Sequence, residues 1–122
     1  MTRRAFERLV ERALESLPAD FKPYLENVEV LVRDRPDPQT LEEMDIPEEE
    51  TLFGLYQGTP LTAREGSAEP RMPDQILIFQ EPIEEACASR AEIEREVRRT
   101  VIHEVAHFFG IGEDRLLELG WD

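Results

Sequence analysis

The stretch His103-Glu104-Val105-Ala106-His107 holds both histidines of a 122-residue chain, four residues apart, with a glutamate beside the first. On a helix, residues at this spacing lie one turn apart on one face. Two imidazoles so placed can bind one zinc ion, and Glu104 stands where it can act on a metal-bound water. A lone helix histidine is more often a hydrogen-bonded packing residue; two at this spacing beside an acid point to a metal. A catalytic zinc takes three protein ligands and keeps one position for water. No third histidine exists in the chain, so the third ligand must come from elsewhere. Gly110 and Gly112 let the chain fold back beneath the imidazoles, which brings acids of the final segment within reach. Glu113, six residues after His107, is the first choice, with Asp114 and Glu118 as alternatives. Each of these acids also suits the start of a short terminal helix, where the macrodipole favours negative charge.

The element that must carry the motif is well marked. Ser89-Arg90-Ala91-Glu92 is a capping box, in which serine accepts from the backbone and glutamate reaches back. The helix it opens is expected to run to about Phe109 and stop at Gly110, which tolerates a left-handed conformation. Val97, Val101, Val105 and Phe108 form one stripe, with Ile102, Ala106 and Phe109 opposite. The second half of the helix is therefore apolar nearly all round and expected to be enclosed by the core, its histidines facing a cavity left by a sheet.

Before this helix, Phe6, Leu9, Val10, Ala13, Leu14 and Leu17 recur at helical spacing up to Pro18. A helical or turn segment from Ala19 to Asn27 follows. Val28-Glu29-Val30-Leu31-Val32 reads as a strand. Residues 36–50 hold three prolines and seven acids with little periodicity and read as a surface loop. Leu52 to Gln57 reads as a second strand, Gly58-Thr59-Pro60 as a turn, and Ala63 to Pro73 as a further loop. Gln75-Ile76-Leu77-Ile78-Phe79 reads as a buried strand. Glu81 to Ala88 is ambiguous, a strand exit followed by one helical turn being the reading, and Glu113 to Leu119 reads as a last short helix. The expected class is α+β. A small mixed sheet of three to four strands packs against an N-terminal helix and a buried site-bearing helix, in a single domain spanning 1–122.

Composition narrows the function. Hydrophobic residues make up 40% and charged residues 34%, as in a soluble globular protein. The net charge of −14 argues against nucleic acid or an anionic membrane as partner and favours a basic or neutral peptide. It serves solubility as well. The single cysteine, Cys87, permits no internal disulfide and no cysteine-rich metal site. No signal peptide or membrane-spanning run is visible, so a cytoplasmic location is expected.

His103-Glu104-x-x-His107-x-x-Gly110-x-x-Glu113 resembles the elongated zincin signature. The stretch from Val101 through Arg115-Leu116-x-Glu118-Leu119-Gly120-Trp121 resembles the small bacterial minimal-zincin family of zinc metallopeptidases. Leu52-Phe53-Gly54-Leu55-Tyr56-Gln57-Gly58 and Gln75-Ile76-Leu77-Ile78-Phe79 resemble that family's strands. The resemblance implies a zincin-like fold with one zinc per chain, ligands His103, His107 and Glu113, and Glu104 as general base. It implies a peptide or protein substrate, an edge strand at Leu52 to Gln57 that pairs with it, and an electrophilic donor, for which Tyr56 is the candidate. Tyr56 is equally suited to pack within its strand. The chain departs from the metzincins in its acid at the third-ligand position and in having no methionine after the motif. The competing reading is a non-catalytic zincin scaffold that binds a peptide or partner protein.

Overall fold

The computed structural model describes residues 1–43, 52–58, 74–112, 114, 115 and 118. Helix α1 (Arg3–Glu15) is capped by Thr2, whose hydroxyl accepts from Ala5 N–H at 3.1 Å. It buries Phe6, Leu9, Val10 and Ala13, the expected stripe. A 3₁₀ segment (Ala19–Leu25) leads to strand β1 (Val28–Arg33). Helix α2 (Pro38–Glu43) follows. It corrects the expected loop: proline at the first helical position has a preset φ and lacks only a donor that the helix does not use. The segment is short and buries nothing, so no periodic signal marks it.

Strand β2 (Gly54–Gln57) pairs antiparallel with β3 (Asp74–Phe79), and β3 pairs parallel with β1. The order is β1-β3-β2, a mixed sheet with β2 at an edge among the described residues. Pairing of β2 starts two residues later than expected, although the Phe53 carbonyl already accepts from Phe79 N–H at 2.9 Å. In β3, Ile76 and Ile78 are fully buried while Gln75 and Leu77 are half-buried, so the strand hides one face and not both. Helix α3 (Gln80–Ala86) resolves the ambiguous segment as helical, and helix α4 (Arg90–Phe109) has its expected bounds.

The core lies between the inner face of the sheet, α1 and α4. Phe6, Ile76, Ile78, Ile83, Val97, Val101 and Val105 are all at 0% exposure. Burying apolar side chains of this size is the main force that seats α4 against the sheet. A polar tie closes the other end. Gln80 accepts from Arg3 Nε at 2.8 Å and donates to the Met1 carbonyl at 3.1 Å. Among the described residues no helix is long and apolar enough to cross a membrane.

Candidate metal centre

Two local devices set the helix that bears the motif. At its start Ser89 Oγ accepts from Glu92 N–H at 3.2 Å, and Glu92 Oε2 accepts from Ala88 N–H at 2.6 Å. The reciprocal bond of the capping box thus reaches one residue further back than expected. At its end Gly110 has φ 72° and ψ 28°, the left-handed conformation that costs glycine little. Gly110 N–H donates to the His107 carbonyl at 3.1 Å, and Ile111 N–H to the Ala106 carbonyl at 2.9 Å. This Schellman arrangement satisfies the last carbonyls and pins the turn that carries His107.

His103 and His107 stand with ring centroids 4.5 Å apart and planes inclined at 65°. One ligand atom from each of His103, Glu104 and His107 lies within 4.8 Å of the others. Their environments differ. Glu104 is 5% exposed and His103 half-buried, whereas the His107 side chain is 48% exposed. The histidines face a cleft as expected, but the helix is less enclosed than expected. Val97, Val101 and Val105 bury one side of α4, but a line through Arg95, Arg99 and His107 is exposed.

Glu104 Oε2 is buried without a hydrogen-bond partner. His107 Nδ1 approaches it to 3.4 Å, an ion pair only when the imidazole is protonated. A buried carboxylate oxygen left unsatisfied costs about 1–3 kcal/mol or more. Such a cost is tolerated where another group completes the site. Two imidazoles one turn apart with a carboxylate beside them offer donors suited to a borderline-soft cation such as zinc. The residues present fit a metal.

The motif opens on a cleft of about 620 Å³ between α4 and β2, lined by His103, Glu104 and His107 and, across from them, Phe53, Gly54 and Tyr56. Gly54 makes the close approach possible. A Cβ there would stand 2.7 Å from Thr100 Cγ2, 3.0 Å from Glu104 Cγ and 3.3 Å from the Leu77 carbonyl. Gly54 has no side chain and Thr100 meets it through a methyl group, so reasoning from reactive groups misses both; the glycine inside a strand pattern is the available signal. Tyr56 lines the cleft, but its hydroxyl donates to Asp74 Oδ2 at 3.0 Å and its ring meets Phe108 edge-on. These contacts are those of a strand-packing tyrosine.

Glu113 lies outside the described residues, as do the expected turn at Thr59-Pro60 and the loop from Ala63 to Pro73. Asp114, Arg115 and Glu118 are helical and exposed. Glu118 pairs with Arg115 at 2.7 Å, and neither Asp114 nor Glu118 joins the cluster around the histidines.

Comparison with known proteins agrees with this geometry. A conserved hypothetical protein from T. thermophilus superposes with a TM-score of 0.58 at 28% identity, over 98% of this chain and 97% of that one. No curated protein matches. The sequence profile of the zincin-like metallopeptidases matches residues 25–121, from the end of the 3₁₀ segment through the motif to the C-terminal region. His103, Glu104 and His107 form a cluster that could hold an ion, metal binding is what the family relationship implies, and the chain therefore belongs to the zincin-like metallopeptidase family.

Proposed function

We propose that this chain is a zinc-dependent peptidase in which His103 and His107 hold the metal, Glu113 completes the ligand set and Glu104 is the general base. The observation that supports it most is the buried Glu104 oxygen without a hydrogen-bond partner, beside two imidazoles one turn apart. Zinc bound there supplies Lewis acidity, lowering the pKa of coordinated water and polarising a carbonyl.

The chain's own residues supply the rest. Glu104 takes a proton from water and returns it to the leaving amine. Gly54 lets β2 press on Thr100 and Glu104, which fixes the carboxylate against the floor of the cleft. The edge of β2 offers backbone donors and acceptors to an extended peptide. Substrates are peptides or proteins in the cytoplasm; nucleic acid and membranes are not partners.

The test is peptide hydrolysis by purified zinc-loaded protein. Glu104→Gln removes the base and leaves both imidazoles, so cleavage falls by a factor of about 10² to 10⁴ while zinc stays bound. Unchanged cleavage in that variant would refute the mechanism. The alternative of a non-catalytic peptide-binding scaffold draws support from Tyr56, whose hydroxyl is engaged by Asp74 and not turned to a substrate carbonyl. It predicts peptide binding with no turnover, and reproducible turnover eliminates it.

A further inference from the structure

Charge on this chain is lopsided: 28 acids against 14 bases. With twice as many carboxylates as cations, most arginines are expected to find a partner, and several do. Arg3 pairs with Asp34, Arg35 with Glu81 and Glu85, Arg90 with Glu94 and Arg115 with Glu118. Arg4, Arg8, Arg12, Arg33, Arg95, Arg98 and Arg99 have no carboxylate within ion-pair distance among the described residues, and what sets four of them apart, Arg12, Arg95, Arg98 and Arg99, is their clustering. They are neighbours in space. Arg95, Arg98 and Arg99 line a groove of about 650 Å³ between α4 and the ends of α1 and α3, and Arg98 shares a smaller cleft of about 240 Å³ with Arg12 and Glu94.

Arg99 and Glu96 also line the cleft that holds the histidines, so groove and cleft meet at these two side chains. Arg99, His103 and His107 are spaced four residues apart and share one face of α4. At about 1.5 Å per residue, Arg99 stands about 6 Å along the helix axis from His103, and Arg95 about 12 Å. An extended peptide advances about 3.3 Å per residue. Its residues about two and four places from a bond held at the histidines thus come level with Arg99 and Arg95.

Two acids share the groove. Glu92 and Glu96 stand against Arg95, Arg98 and Arg99, a local excess of one positive charge. The local balance is cationic although the whole chain is strongly anionic, and at physiological salt the rest of the surface is screened beyond about 8 Å.

We infer that Arg99 and Arg95, supported by Arg98, select peptides bearing acidic side chains on the flank that lies toward the start of α4. This specificity rests on the peptidase reading. It reverses what net charge alone suggests, a basic or neutral partner. Guanidinium forks bind carboxylates in two-bond geometry, and unpaired arginines lose no internal ion pair on engaging one.

The test separates binding from turnover. Fluorescein-labelled short peptides with glutamate at alternate positions, and their glutamine counterparts, are titrated by anisotropy into the Glu104→Gln protein at about 0.15 M salt. The glutamate peptide is expected to bind about fivefold tighter, the upper range for exposed ion pairs. Adding Arg95→Gln and Arg99→Gln abolishes the preference, whereas Arg4→Gln on the exposed side of α1 keeps it. Equal binding of the two peptides, or a preference that survives loss of both arginines, overturns the inference. In parallel, a peptide library is digested with the zinc-loaded wild-type protein and the cut sites read by mass spectrometry. Acidic residues enriched about two and four places from the cut support the inference, and cuts without that enrichment overturn it. A binding preference with no cuts at all supports the inference and counts against the peptidase reading alone.

Discussion

His107 Nδ1 lies 3.4 Å from Glu104 Oε2, and the two side chains are 48% and 6% exposed. The site thus has a buried acid at its base and an open imidazole at its mouth, within one helical turn. A group entering from solvent meets His107 first and reaches Glu104 last. This gradient is what a general base needs if bulk water is not to compete for its carboxylate.

The contact of Gly54 with α4 gives the sharpest structural prediction. Gly54→Ala drives a methyl group into Thr100 and Glu104. Overpacking of this kind costs about 1–3 kcal/mol, read as a lower urea midpoint. Zinc affinity or cleavage is expected to fall further than stability explains, because Glu104 is displaced. A variant with native stability and full activity would show that the close approach is unnecessary.

Both ends of α4 are testable. Ser89→Ala removes the cap to Glu92 N–H and is expected to cost about 1 kcal/mol. Gly110→Ala places a side chain at φ 72° and is expected to cost about as much. Only the second change loosens the turn that bears His107. Hydrogen exchange of the amides near residue 107 distinguishes them, rising in Gly110→Ala and staying near native in Ser89→Ala.

Cys87 provides a pH-dependent reporter. Burial pushes its thiol above the ordinary value, Glu96 and Glu92 add to the effect and Arg95 opposes it. A raised value means less thiolate at a given pH in the folded chain than in the unfolded one, and thiolate is the form that alkylates. Iodoacetamide labelling is expected to be slower in native than in urea-unfolded protein, with its pH profile displaced upward. Coincident profiles would contradict this placement of Cys87.

Much of the site is legible in the sequence because its signals are local. The Ser89 cap, the Gly110 stop and the four-residue spacing of the histidines are encoded within one helix. What stays hidden depends on partners far apart in the chain. The parallel pairing of β1 with β3 and the central place of β3 follow from packing that no short pattern records. Gln80 meets Arg3 from 77 residues away, and Tyr56 meets Asp74 from 18. The exposure of His107 escapes the sequence for a related reason. Apolar periodicity shows which face of α4 is buried, but only the short β2 and the absent side chain of Gly54 decide how far the sheet covers the other.

The central claim is that His103 and His107 form a metal centre, and metal content tests it most directly. Protein purified without chelators or a histidine tag is measured by elemental mass spectrometry. About one zinc per chain is expected, retained in Glu104→Gln and lost in His103→Ala. Protein that neither carries nor takes up zinc, or a His103→Ala variant that keeps its full complement, would contradict the account.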